Sequence, residues 1–327
     1  MEKLQAIGIG SPVADLLINM DRLPGPDQAA KLLEMSYQFG GKVPTAMAAL
    51  GRLGIRCGMI GIVGEDNEGR ACIKDFERNN VDTSRMIIDP ERPTRLSVVL
   101  SNREAGGRNF LRREENVRGV RVDELDRAYI TQAKVLHLST AGEAERTAAL
   151  WIREAGGQVS LDADGYKPEF EEIAPLIDAF ITSESYYITR YKNRNMSLEQ
   201  CCRDIAGRGP KMVAVTLGAR GCACLFDGKY ETIPAFKVDV VDATGAGDTF
   251  HGAFIYGMLE GWGTVESARF ASAVSAIKCT AIGGRAGLPK LDTVKRFMET
   301  GTLTEQDKAE IEKRKKLYQK AHGLQDD

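Results

Sequence analysis

The chain has 327 residues, 43% hydrophobic and 28% charged, with a formal net charge of −2. That is the composition of a globular protein with enough length to bury a core around a reacting centre. No basic stripe runs through it, which argues against nucleic acid as the main partner, and no apolar run approaches the ~18 residues of a membrane span.

Met1-Glu2-Lys3-Leu4-Gln5 lacks the charged-then-apolar layout of a signal peptide, so a cytoplasmic protein is expected. The first strand is Ala6 to Gly10. Gly8-Ile9-Gly10-Ser11-Pro12-Val13 opens like a dinucleotide-binding turn, but the third glycine is absent and Pro12 blocks the helix entry. Val13 to Met20, Lys31 to Phe39, Thr94 to Ser101 and Arg108 to Arg112 have strand character without intervening helices. They suggest a small sheet inserted into the main fold. Elsewhere helices and strands alternate. Lys42 to Leu53, Asn67 to Arg78, Glu143 to Glu154 and Ser197 to Ala206 read as helices. Gly58 to Val63, Val135 to Leu138, Gln158 to Asp162, Ala179 to Thr182 and Met212 to Thr216 read as strands. Such alternation implies a parallel sheet covered on both faces, with ligands at the carboxyl ends of its strands. Val265 to Thr280 is a long helix of small residues with Thr264 as its expected N-cap, and Thr304 to Ala321 reads as a charged, solvated helix. The seven scattered cysteines are expected as reduced thiols. Cys222 and Cys224 would share one face of a strand, but with only His137, His251 and His322 in the chain the pattern of a zinc site is missing.

The most informative segment is Val240-Val241-Asp242-Ala243-Thr244-Gly245-Ala246-Gly247-Asp248-Thr249-Phe250. A β-branched run, Val238 to Val241 broken by Asp239, reads as a strand that turns through glycines into an amphipathic helix from Asp248 to Leu259. Gly245 and Gly247 let backbone amides approach a phosphate closely. The helix start adds free N–H groups and partial positive charge. A site that only holds phosphate has no use for the carboxylate of Asp248. A site that takes a proton from an attacking hydroxyl does. The competing reading of Asp248 is an ordinary N-cap after a glycine turn. The cradle would be the amides of Gly245, Ala246 and Gly247. No Gly-x-x-x-x-Gly-Lys-[Ser/Thr] run is present, so a P-loop is excluded.

Asp242 to Phe250 resembles the C-terminal signature of the ribokinase-like (PfkB) carbohydrate kinases. Gly40-Gly41-Lys42-Val43-Pro44-Thr45-Ala46-Met47-Ala48-Ala49-Leu50-Gly51-Arg52-Leu53-Gly54 resembles the N-terminal signature of that family, and Val215-Thr216-Leu217-Gly218-Ala219-Arg220-Gly221 its nucleotide-binding strand and turn. The order and spacing fit as far as about residue 300. The resemblance implies a three-layer α/β/α sandwich with a mostly parallel central sheet and a small inserted β-sheet lid. Residues 1–303 would form the kinase domain, with the lid from about 12–39 and 94–113, and residues 304–327 a charged tail.

It also implies roles. Asp248 is the base, with Gly245, Ala246 and Gly247 as its anion hole. Asp15, Gly40, Gly41, Lys42 and Thr45 face the substrate, and Arg112 reaches down from the lid. Thr216, Gly218, Gly221, Thr244 and Gly284 face the nucleotide, although Gly283-Gly284 reads equally as a helix C-cap. ATP and Mg2+ are the expected co-substrates, and Asp242 would be structural or lie near a monovalent-cation (K+) site. Two positions depart from the family. Thr45 stands where Asn is usual, and Ser183-Glu184-Ser185-Tyr186 replaces an Asn-x-x-Glu motif that organises magnesium. Glu184, Asp162 or Asp164 would then serve the metal. The expected protein is a homodimer joined through its lids that phosphorylates a hydroxymethyl group of a sugar or sugar derivative. A nucleoside kinase, with Tyr37, Phe39 and Phe110 as floor for a base, is the alternative within the family. A non-catalytic sugar or nucleotide sensor is the alternative outside it.

Overall fold

The computed structural model describes residues 3–102, 108–113 and 118–319. The side chains of Arg108 and Phe110, His322, and the expected helix beyond Gln319 lie outside the described residues. The chain begins with strands β1 (Ala6–Ile9), β2 (Val13–Met20) and β3 (Leu32–Gly40), helix α1 (Lys42–Arg52), strand β4 (Cys57–Gly64), helix α2 (Asn67–Arg78) and strands β5 (Val81–Asp89), β6 (Arg95–Asn102) and β7 (Arg108–Arg113). It continues with α3 (Arg127–Thr131), β8 (Val135–Leu138), α4 (Glu143–Glu154), β9 (Gln158–Ala163), α5 (Pro168–Ile173), β10 (Ala179–Ser183), α6 (Glu184–Arg190), α7 (Leu198–Ala206) and β11 (Met212–Thr216). Strands β12 (Cys222–Phe226) and β13 (Lys229–Ile233) precede helices α8 (Ala246–Leu259), α9 (Thr264–Lys278), α10 (Leu291–Thr300) and α11 (Glu305–Gln319).

Among the described residues, nine strands form one sheet in the order β13-β12-β11-β10-β9-β8-β1-β4-β5. It is parallel from β11 to β5, with Ala6 opposite both Cys57 and Val135, and β12 and β13 add an antiparallel edge. Its central strands β1 and β8 are buried at every residue because helices cover both faces. One core packs α1, α8, α9 and α10 against the sheet, and the other packs α4, α5 and α7. A separate four-stranded sheet has the order β3-β2-β6-β7. This is the ribokinase-like fold expected from the sequence.

Four local expectations change. Val238 to Val241 is not a strand. Val240 and Val241 are each 64% exposed, and the N–H groups of Val241 and Asp242 donate instead to the Cys279 carbonyl. The run lies beyond the sheet, so its β propensity meets no partner strand. β5 was not apparent because it is an edge strand with polar residues on both faces. Gly263, not Thr264, caps α9, and Thr264 is its first residue. Finally, α11 is not simply solvated. Asp307, Ile311 and Tyr318 are buried, and the Tyr318 ring packs on Phe39 of β3. No helix among the described residues is long and apolar enough to cross a membrane.

Candidate active site

Helix α8 is buried on all sides from Thr249 to Met258, so it runs through the core and meets solvent only at its two ends. Gly245 caps it in the left-handed conformation, φ 73° and ψ 9°. A Cβ there would stand 3.1 Å from the Gly284 Cα, so conformation and space both call for glycine. The Ala246 N–H folds back to the Ala243 carbonyl at 3.1 Å. It is therefore not a cradle amide, contrary to expectation. The N–H groups of Gly245, Gly247 and Asp248 meet no acceptor among the described residues. A Cβ on Gly247 would enter open space. These three amides face that opening, so the helix start has donors to offer an anion.

Asp248 is the third residue of α8. Burial holds its carboxyl well above the usual carboxylate range, and the charges of Asp162 and Asp164 push the same way. The ammonium groups of Lys42 and Lys278 oppose them. Asp162 is the penultimate residue of β9 and is almost fully buried. It accepts the Asp164 N–H at 2.9 Å and lies 3.8 Å from Lys42 Nζ and 3.4 Å from His251 Nε2. Lys42 also reaches the Asp164 carboxylate and carbonyl, both at 3.2 Å. Burial pushes the Asp164 carboxyl up, but the Ser183 hydroxyl and Lys42 outweigh it and hold the group ionised. Lys42, expected against the substrate, is thus first of all the counter-ion of two carboxylates. It lines a cleft of about 550 Å³ shared with Gly10, Gly41, Thr140 and Glu145.

A second pocket, of about 300 Å³, lies between the small sheet and the loops that carry Thr244 and Gly283-Gly284. It gathers Asp15, Gly41, Arg112, Thr244 and Gly284 from the sequence expectations and adds Gln38, Arg95 and Ser97. The absence of a side chain on Gly40 makes room for Asp15, because a Cβ there would fall 2.2 Å from Oδ2. Burial raises the Asp15 carboxyl to about 6, opposed by the charges of Arg285 and Arg112 and by the Ser97 hydroxyl. Thr45 is buried between Gly245 and Gly284, and its hydroxyl meets no hydrogen-bond partner among the described residues.

Two nucleotide-side expectations move. Gly284 lines the Asp15 pocket and is no helix cap, since α9 already ends at Cys279. Thr244 lines the same pocket, with its N–H and hydroxyl both on the Asp242 carboxylate. Thr216, at the end of β11, donates to the Thr182 carbonyl at 3.2 Å, and Gly218 and Gly221 turn the chain with φ of 59° and 90°. Arg220 in that turn meets Glu184 at 2.5 Å. Tyr186 faces away into an aromatic core with Tyr166 and Phe180. Among the described residues no group of three acidic, His or Cys side chains could hold a metal. Glu184 is paired with Arg220 and the buried Asp162 with Lys42 and His251, while Asp164, although it also meets Lys42, is half exposed. Sequence reasoning missed Gln38 and Ser97, which look like ordinary polar strand residues, and Lys278 and Arg285, for which the sequence carries no signal.

The pfkB family carbohydrate kinase model matches residues 1–291. The chain is 27% identical to a ribokinase of Haemophilus influenzae, over 89% of this chain and 97% of that protein. It is 24% identical to the ketohexokinase of Mus musculus, over 85% and 97%. A putative ribokinase II from E. coli, solved with ATP and Mg2+, superposes with a TM-score of 0.79 at 20% identity, covering 90% of this chain and 99% of that one. The chain belongs to the pfkB family and is a carbohydrate kinase.

Proposed function

We propose that the enzyme transfers the γ-phosphoryl group of ATP to a hydroxymethyl group of a sugar or sugar derivative bound in the Asp15 pocket. One observation carries this reading. A carboxylate, Asp248, stands on the same helical turn as three unbonded amides, and Gly245 and Thr244 join that turn to the Asp15 pocket.

Asp248 accepts the hydroxyl proton as the acceptor oxygen forms its bond to the γ-phosphorus and the bond to the β-bridging oxygen breaks, leaving ADP. The amides of Gly245, Gly247 and Asp248 hold the charge on the transferring group in place. Asp15, Gln38 and Ser97 bind acceptor hydroxyls, and the turn from Thr216 to Gly221 takes the nucleotide.

The E. coli protein was solved with ATP and Mg2+, and magnesium would be held here partly by the ATP phosphates. A single ionised carboxylate, with water and phosphate oxygens, suits a cation that keeps much of its hydration. Asp164 fits that part, and the bound ion would neutralise phosphate charge. The carbonyls near Asp242, where the family resemblance places a monovalent cation, already accept from Lys278. A dimer through the lids is supported by exposed Leu32, Leu33 and Leu111 on the outer strands of the small sheet. A monomeric mass in light scattering would overturn it.

The test is ADP release from magnesium-ATP across sugars, sugar acids and nucleosides, with Asp248→Asn beside the native enzyme. Turnover on a sugar that Asp248→Asn abolishes while ATP binding persists supports the reading. Turnover on nucleosides alone would overturn the sugar assignment, and an active Asp248→Asn would overturn the base.

A further inference from the structure

Lys278 is one of the largest fully buried side chains in the molecule, with 0% exposure. It is the last residue of α9, and its ammonium turns back under the loop that leads into α8. There it donates to the main-chain carbonyls of Asp242, at 2.9 Å, and Thr244. The same loop is tied down by other groups. Asp242 accepts the N–H of Thr244 at 2.9 Å and of Gly283 at 2.8 Å, and the Ser275 hydroxyl donates to the Ala246 carbonyl at 2.9 Å.

A buried ammonium is costly unless carbonyl dipoles or carboxylates surround it. Here it has both, for its charge also helps to hold the Asp242 carboxyl below the usual range against the opposing effect of burial. The C-terminus of α9 adds the negative end of a helix dipole. Oxygens converging on one buried positive charge are what a bound K+ would need. Ammonium and K+ are similar in size and charge, and both favour carbonyl oxygens. In this chain the oxygens are already used.

We infer that Lys278 is a tethered cation which replaces a monovalent metal ion beneath the anion cradle, and that this kinase works without K+. Lys278 is a positioning residue. It fixes the Asp242 and Thr244 carbonyls, and through them the Gly245 turn whose amides face the phosphate. The inference deepens the proposed role of that cradle and rests on it for its kinetic consequences only.

The experiment compares potassium chloride with tetramethylammonium chloride at equal ionic strength. For the native protein, the initial rate with magnesium-ATP and an accepted sugar is expected to be the same in both salts. So is the melting temperature of the ligand-free protein. Lys278→Ala removes the charge and opens space. In tetramethylammonium its rate should fall about a hundredfold. K+ or propylammonium should restore part of that rate, and K+ should now raise the melting temperature. Lys278→Met fills the space without charge and should lose rate with no rescue.

A native enzyme that is faster or melts higher in K+ would overturn the inference, as would full activity in Lys278→Met. If Lys278→Ala does not fold, the native salt comparison and Lys278→Met still decide. If no sugar is turned over, the melting comparison separates failure of the kinase assignment from failure of the tethered cation.

Discussion

The Arg285 guanidinium and the Asp75 carboxylate form an ion pair from which water is excluded, with side-chain exposures of 1% and 0%. The Tyr318 hydroxyl donates to the other Asp75 oxygen at 2.7 Å, and Arg285 lies over the rings of Phe39 and Phe76. Arg285 also reaches the Gly40 carbonyl at 3.5 Å. One buried cluster therefore connects α2 and α11 to the end of β3, next to Gln38 and Gly41 of the Asp15 pocket.

Breaking such a pair leaves a buried charge without a partner. Arg285→Met should lose about 3–5 kcal/mol of stability in urea unfolding. Adding Asp75→Leu should recover part of it, so that the double variant loses less than the two single losses combined. Tyr318→Phe should cost about 1 kcal/mol. Additive losses would show that the two groups act separately.

Asp248→Asn tests the base while keeping shape. The amides remain, so ATP binding in calorimetry should be unchanged. The rate constant for turnover should fall about a thousandfold, the scale of a lost general base. A fall in affinity with turnover retained would instead make Asp248 a binding group.

Asp15 gives a pH dependence with a defined sign. Its folded pKa, about 6, lies above the ordinary carboxylate value, so between the two the folded state holds the proton that the unfolded state has lost. Stability therefore falls as pH rises through this window and is level above it. The cost at neutral pH is about 3 kcal/mol from a shift of this size. Asp15→Asn should thus be more stable than the native enzyme at neutral pH and equal to it in acid. Acceptor affinity runs the other way. It should strengthen as pH rises through about 6 in the native enzyme, and that response should vanish in Asp15→Asn.

Much of this was readable before any coordinates. Gly245, Gly247 and Asp248 announce themselves because an anion site at a helix start is a local device, written in consecutive residues. Asp15 and Gly41 came from the family resemblance, and the structure sets both on one pocket. Residues that act across long sequence separations were not readable. Lys278 looks like any last-turn lysine, and its partners lie 36 and 34 residues away. Arg285 meets Asp75 at a separation of 210. Tyr318 sits in a segment whose charge suggested a solvated face, yet one aromatic side chain per few turns suffices to dock a helix. Val238 to Val241 failed for the opposite reason: its local β preference is clear, but no neighbouring strand pairs with it.

Lys42 pairs with both Asp162 and Asp164, and its replacement makes the sharpest kinetic prediction. Its ammonium is the favourable charge nearest in effect to Asp248, set against Asp162 and Asp164, which together with burial push the Asp248 carboxyl up. Lys42→Met removes that compensation and leaves two carboxylates facing the base. The Asp248 carboxyl should then release its proton at still higher pH. In a plot of turnover against pH, the rising acid limb should move to higher pH in Lys42→Met, and part of the lost rate should return in alkaline buffer. Lys42→Arg keeps the charge and should leave the limb near its native position. If Lys42 served only to bind the sugar, as the sequence suggested, both variants would raise the KM of the acceptor with the limb unmoved. A shifted limb at nearly constant KM would assign the lysine to the carboxylate cluster that tunes the base.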